Sequence, residues 1–107
     1  MSPTIIKRDF KLHGMTFVIA ESSYVQGGAT AWQLFDENGD DYAVITINLP
    51  GLATDELAIK SYSENEGMLE ALLAADVIEL PHRWVASGFV SIPVVRKKER
   101  QGMEDVG

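Results

Sequence analysis

The sequence predicts an α+β fold, in which a single helix at about residues 64–76 packs on one face of a twisted antiparallel sheet. Two pairs of β-rich segments flank short turn sequences, one segment has apolar residues at helical spacing, and a further β-rich segment follows it. Because only one helix is available to connect parallel strands, a parallel sheet is disfavoured. We expect about five to seven strands, built from hairpins.

The first hairpin is predicted from IIKRDFKL and MTFVIAE, which flank the dipeptide His-Gly at 13–14. A turn at this dipeptide places Phe10 opposite Phe17 and Arg8 opposite Ile19. One face of the hairpin is then strongly apolar, which is typical of a sheet that covers a core.

The second hairpin is predicted around Asn-Gly at 38–39, which is the strongest short hairpin signal in the chain. This turn places Leu34 opposite Ala43 and Trp32 opposite Ile45. We expect this face, including Trp32, to lie in the core.

The helix is predicted from a polar start that is followed by apolar residues at helical spacing. The residues that would dock on the sheet are Met68, Leu69, Leu72 and Leu73. Ser63 and Glu66 fit a capping box, which would begin the helix at this serine. Gly67 then falls inside the helix, where glycine costs about 1 kcal/mol relative to alanine. We expect the close approach of another strand or of a partner to explain this glycine.

The C-terminal β-rich segment, VIELPHRWVASGFVSIPVVR, contains Ser87-Gly88, where one strand could turn back on another. Pro93 indicates that the last strand lies at a sheet edge or carries a bulge. We expect one domain at 1–95 and a frayed, charged tail at 96–107. Before the helix, apolar and polar residues alternate well enough over residues 57–62 to predict a short strand.

The chain has 107 residues, no cysteine and a net charge of −7. Without cysteine, neither a disulfide framework nor a thiolate zinc site can form. Residues 21–95 carry a net charge of −10, which opposes direct binding of nucleic acid and attracts basic partners. The sequence shows neither a signal peptide nor an apolar run of membrane-spanning length, so we expect a protein of the host cytoplasm that does not bind membranes.

Signals for catalysis or metal binding are weak. Asp36, Asn38 and Asp40 match the first positions of a calcium-binding loop, but Ile47 stands where that loop needs a bidentate glutamate. Neither of the two histidines, His13 and His82, falls in a recognised catalytic or metal-ligand motif. We therefore expect no catalytic residue, no metal site, no cofactor and no enzymatic activity. A metal bound to His82 and nearby carboxylates would overturn this expectation.

The segment KSYSENEGMLEALLAADVIE, preceded by YAVITINLP, resembles a small family of unknown function. Its members are single-domain proteins of about this length that bacteria, phages and conjugative elements encode. The resemblance covers residues 42–88 and implies an accessory protein of a mobile element. It implies no activity, catalytic residue or cofactor.

The leading hypothesis is a non-enzymatic protein-binding module of a mobile element, which engages a partner with a basic surface through its acidic central segment. A specific version is an inhibitor of a nucleic-acid-binding defence complex, an anti-CRISPR or anti-restriction protein whose carboxylates mimic DNA phosphates. The candidate partner-binding residues are Asp36, Glu37, Asp40, Asp41, Asp55, Glu56, Glu64 and Trp84. The alternative is an accessory domain that assembles with itself, for example as a homodimer, or with another mobile-element protein, through a sheet edge or exposed aromatic residues.

Overall fold

The computed structural model describes residues 4–98, and these residues form eight strands, one α-helix and one short 3-10 turn. The strands lie in two antiparallel sheets of four strands each. The predicted α+β class, with antiparallel hairpins and a single helix, is confirmed for this part of the chain. The expectation of a single sheet of five to seven strands is wrong, because the chain passes from one sheet to the other at Ile45.

The first sheet contains both predicted hairpins. Its strands, in spatial order, are β1 (Thr4–Leu12), β2 (Met15–Ser23), β3 (Thr30–Phe35) and β4 (Asp41–Val44). Phe10 lies opposite Phe17 in the first hairpin, and Leu34 lies opposite Ala43 in the second. Phe10, Phe17 and Leu34 are buried. The faces that the sequence predicts to be apolar are thus the faces that pack inward.

The register of the first hairpin differs from the prediction at its open end. Lys7, and not Arg8, lies opposite Ile19, because the pairing is irregular between Lys7 and Phe10. Asp9 lies within this irregularity and has a positive φ of 57°. A bulge of this kind inserts an extra residue into one strand, so the next pair moves by one position. A second shift between Ile5 and Lys7 moves the pairs beyond it by a further position.

The chain changes sheet at Ile45, between β4 and the two-residue strand β5 (Thr46–Ile47). The Ile45 amide donates to the Trp32 carbonyl oxygen in β3 at 2.9 Å, and its own carbonyl accepts from the Lys60 amide at 2.8 Å. Trp32 is 2% exposed, so its predicted place in the core is confirmed. The next side chain continues the junction, since the Thr46 hydroxyl oxygen accepts from the Trp32 amide at 3.1 Å.

The second sheet has the spatial order β5, β6, β8, β7. The strands that complete it are β6 (Glu56–Ile59), β7 (Arg83–Ser87) and β8 (Val90–Arg96). The hairpin loop between β7 and β8 is Gly88-Phe89, one residue later than predicted, because Ser87 pairs with Val90. The expectation that Pro93 marks an edge strand or a bulge is wrong, since β8 lies between β6 and β7 and its pairing with both is free of register shifts. The pairing of β8 with β6 covers only its last three residues and ends at Val94, so Pro93 lies outside it.

The helix α1 (Met68–Ala74) is shorter than predicted, and its N-cap is Gly67. A 3-10 turn at Ser63–Asn65 occupies the start of the predicted helix. Between them, Glu66 (φ −56°, ψ 133°) and Gly67 (φ 90°, ψ −3°) have the angles of a type II β-turn, which needs a positive φ at its third residue. The predicted capping box is therefore wrong, because the helix begins after this turn.

Conformation, and not a lack of space, accounts for the glycine at position 67. A Cβ atom there would lie 3.5 Å from Nε2 of His13, which is an ordinary van der Waals distance. The predicted close approach is therefore not needed to explain it. The Leu69 amide, in the first turn of the helix, donates to the Ser61 hydroxyl oxygen at 3.0 Å. A residue that precedes the helix thus provides the acceptor that a capping side chain would otherwise supply.

The predicted docking face of the helix is confirmed. Met68 and Leu72 are buried in the core, and Leu69 and Leu73 are partly buried against it. The same core contains residues of both sheets, among them Phe10 and Trp32 of the first sheet and Leu57 and Val95 of the second.

The start of the predicted tail belongs to the folded structure. Arg96 ends β8, and the Lys97 and Lys98 amides donate to the Asp55 and Val77 carbonyl oxygens at 2.9 and 3.0 Å. The predicted boundary after residue 95 is therefore too early. Residues 99–107 of the predicted tail lie outside the described residues.

Candidate functional site

Four of the candidate carboxylates lie at the tip of the second hairpin: Asp36, Glu37 and Asp40 lie between β3 and β4, and Asp41 is the first residue of β4. Asp36 builds this tip, because its Oδ1 accepts from the backbone amides of Asn38 at 2.9 Å and Asp40 at 3.0 Å. Glu37, Asp40 and Asp41 are exposed. None of these three forms an ion pair with a cationic side chain of residues 4–98. The tip therefore concentrates negative charge that the rest of the described chain does not neutralise.

Asp55 and Glu64 are also exposed, but each has a cationic partner in the chain. Asp55 Oδ2 lies 3.3 Å from Nε of Arg96, and Glu64 Oε2 lies 2.6 Å from Nζ of Lys60. The hydrogen bond from Lys60 lowers the pKa of Glu64, and the same bond raises the pKa of Lys60. A partner with a basic surface would have to compete with these internal cations for either carboxylate.

Glu56 is buried at 8% exposure and is held by three groups. Its Oε1 accepts from the Ala53 amide at 3.0 Å and from Nη2 of Arg83 at 3.2 Å, and its Oε2 lies 2.6 Å from Nε2 of His82. The Ala53 amide, followed by His82 and Arg83, lowers the pKa of Glu56 to about 2, although burial alone would raise it. The candidate residue Glu56 thus joins β6 to the segment that enters β7, and its side chain is not presented to a partner.

The contacts of Glu56 could not be found from the sequence, because His82 and Arg83 lie 26 and 27 positions away. A carboxylate beside a histidine is also a common catalytic arrangement. Here both carboxylate oxygens are already occupied by donors. Among residues 4–98, no group of three or more histidine or carboxylate side chains is placed to hold a metal ion. The hydrogen bonds of Glu56 with His82 and Arg83 therefore connect β6 to the start of β7, which is a structural role.

The candidate residue Trp84 lies on β7 and is 57% exposed. Two further large apolar side chains close to it in the sequence are exposed: Phe89 in the β7–β8 loop is fully exposed, and Leu80, which precedes β7, is 73% exposed. Neither residue is among the candidates predicted from the sequence. The signal that could have identified Phe89 is its position after Gly88 in a two-residue hairpin loop, where side chains are solvated.

A shallow cleft of about 420 Å³ lies between the loop before β3 and the loop after β5. Its lining residues come from 26–29 and 48–52 and include Gln26, Asn48 and Pro50. None of the lining side chains is titratable at physiological pH, so the cleft offers no group for acid–base or nucleophilic chemistry.

Comparison of the chain with protein-family models, with curated proteins and with solved structures found no match. The resemblance of residues 42–88 to a family of unknown function therefore receives no support from these comparisons. Within the described residues, the one helix is too short to cross a bilayer.

Proposed function

We propose that this chain is a non-enzymatic protein-binding module, which contacts a basic surface of a partner protein through the tip of the β3–β4 hairpin. The observation that carries the proposal is the set of three exposed carboxylates at the tip, Glu37, Asp40 and Asp41, without a cationic partner among the described residues. Charge of this kind speeds the encounter with an oppositely charged surface and helps to select it.

A more specific form of this proposal is an inhibitor of a nucleic-acid-binding defence complex of the host, with the tip carboxylates in the place of DNA phosphates. Its support is the net charge of −7, which such a basic site would attract. The carboxylates of Asp55, Glu56 and Glu64 contribute less to such a surface, because each already pairs with a cation of the same chain, Arg96, Arg83 and Lys60 respectively.

The test is affinity capture from an extract of the producing cells, with the whole chain as bait, at about 50 mM and about 500 mM salt. The test variant combines Glu37→Gln, Asp40→Asn and Asp41→Asn. The matched control combines Glu66→Gln, Glu70→Gln and Glu79→Gln, which removes three exposed carboxylates away from the tip. We expect the wild type and the control to retain the partner at low salt, and the tip variant to lose it. Equal capture by the tip variant, or capture that does not weaken at high salt, would refute the proposal.

A second candidate function is an accessory domain that assembles through a sheet edge. The observation that favours it is the exposure of Trp84, Phe89 and Leu80 beside β7, the outer strand of the second sheet. Exposed aromatic side chains of this size are typical anchors of protein–protein contacts. Substitution Trp84→Ser should abolish such assembly, and an association that survives this change would argue against it.

A further inference from the structure

The outer side of β7 is an open strand edge. β7 is a five-residue strand at the end of the second sheet, and no strand within residues 4–98 pairs with its outer side. Natural edge strands are commonly protected by several charges, a proline, a bulge or a short length. β1, an edge of the first sheet, carries charged residues and two register shifts, and β4 and β5 are only four and two residues long. β7 has only one charged residue, Arg83, and it pairs with β8 without a register shift. β7 therefore lacks most of these forms of protection.

The charge around β7 differs from that of the rest of the chain. Residues 80–95 contain no aspartate or glutamate, although the chain has 16 such residues. A basic partner would find no counter-charge on this stretch. Two copies of a chain with a net charge of −7 repel one another. The β7 edge is a place where they can approach with less repulsion, because the carboxylate bonded to Arg83, that of Glu56, is buried.

We propose that β7 pairs antiparallel with β7 of a second copy, around a two-fold axis at Val85. In this register the residues of one strand face complementary residues of the other. Arg83 lies opposite Ser87, and Trp84 lies opposite the small side chain of Ala86. The two arginines are therefore kept apart, whereas a parallel arrangement in register would place them side by side.

The same register brings apolar side chains together beyond both ends of the strand pair. The β7–β8 loop of each copy, which carries Phe89, then lies beside the segment that precedes β7 of the other copy, which carries Leu80 and Pro81. The side chains of Phe89 and Leu80, which are exposed in the single chain, are thereby covered. The second sheet of one copy and the second sheet of the other, with four strands each, then form one continuous sheet of eight strands across the dimer.

The contact is small. Two edges of five residues bury less than the roughly 800 Å² per partner of a stable interface, so we expect a dissociation constant of about 10 µM or weaker. Two acidic chains repel one another, and salt screens this repulsion. The dimer should therefore become more stable as salt is added. A complex held by the acidic hairpin tip should do the opposite.

This inference rests on the second candidate function and is independent of the first. The test is sedimentation equilibrium of the purified chain alone from about 10 µM to about 500 µM, a range set by the expected affinity. We expect a concentration-dependent dimer in the wild type. Ala86→Glu places a carboxylate opposite Trp84 of the second copy and should weaken the dimer at least tenfold. The control Val25→Glu adds the same charge at a fully exposed loop position and should leave the dimer unchanged.

A cysteine variant tests the register directly, because the chain has no cysteine of its own. Val85→Cys places the two new thiols opposite one another on the two-fold axis, within reach of a disulfide. We expect this variant to form a covalent dimer under mild oxidation much faster than the control Val25→Cys. A wild type that stays monomeric at the highest concentration in low and high salt would overturn the proposal, as would equal cross-linking of the two variants. Capture of a basic partner through the tip would be unaffected by either result.

Discussion

Glu56 is the candidate residue whose role the structure changes most. Its position in an acidic part of the sequence favours a surface role, but the side chain is buried and bonded to Ala53, His82 and Arg83. All four residues of β6 are buried, so the polar residue at its start needs partners. Because its buried carboxylate is bonded to three donors, Glu56 stabilises the folded protein.

The low pKa of Glu56 predicts a pH-dependent stability. The pKa is about 2 in the folded protein and has its ordinary value of 4.5 when the carboxyl is unperturbed. The stabilisation is therefore fully present above about pH 4.5, and it is lost as the pH falls toward about 2, by about 3 kcal/mol in all. Urea unfolding of the wild type and of Glu56→Gln should show a stability difference that shrinks over this range. A difference that stays constant from pH 7 to pH 3 would contradict the assignment.

The effect of replacing Gly67 with alanine distinguishes the observed turn from the predicted helix, because the free energy of unfolding changes in opposite directions in the two cases. Alanine at a positive φ of 90° costs about 1–2 kcal/mol, so Gly67→Ala should destabilise the protein. Asparagine tolerates a positive φ better, so Gly67→Asn should cost less. Thermal unfolding of both variants measures the effect. If the glycine lay inside a regular helix, alanine would instead stabilise the protein by about 1 kcal/mol.

At the scale of elements, the junction between the sheets depends on the Thr46 side chain. Its hydroxyl oxygen accepts from the buried Trp32 amide and lies 2.9 Å from the Tyr24 hydroxyl. Thr46→Val keeps the shape but leaves the Trp32 amide without this acceptor. We expect a loss of about 1–2 kcal/mol in the free energy of unfolding. Thr46→Ser keeps the hydroxyl and should lose less, and equal losses for the two variants would show that packing dominates.

The elements that the sequence predicts well are those whose signals are local. Both hairpins are predicted from dipeptides at their turns, although the pairing of the second shifts between Leu34 and Phe35, before its turn. The docking face of α1 follows from the spacing of four apolar residues. The start of the helix was mispredicted, because the pattern from Ser63 to Glu66 fits a capping box and says nothing of the φ that Gly67 adopts. The change of sheet was missed, because it depends on backbone bonds of Ile45 to residues 13 and 15 positions away.

At the scale of the whole molecule, the two candidate surfaces differ in charge and in what the sequence reveals of them. The acidic tip is contiguous, so Glu37, Asp40 and Asp41 could be predicted as one group. The second surface comprises the exposed side chains of Leu80, Trp84 and Phe89, on and beside β7, and β7 lies at a sheet edge because of the strand order of the second sheet. Strand order is set by long-range pairing, and local patterns do not encode it.

The most direct test of the proposed function is amide hydrogen exchange of the chain with and without the partner that the capture experiment identifies. We predict that binding slows exchange at residues 36–41, because the partner covers the hairpin tip. The peptides around Glu56 and His82 serve as the internal control and should not change. Unchanged exchange at 36–41, together with slower exchange around Glu56 and His82, would contradict the assignment of function to the acidic tip.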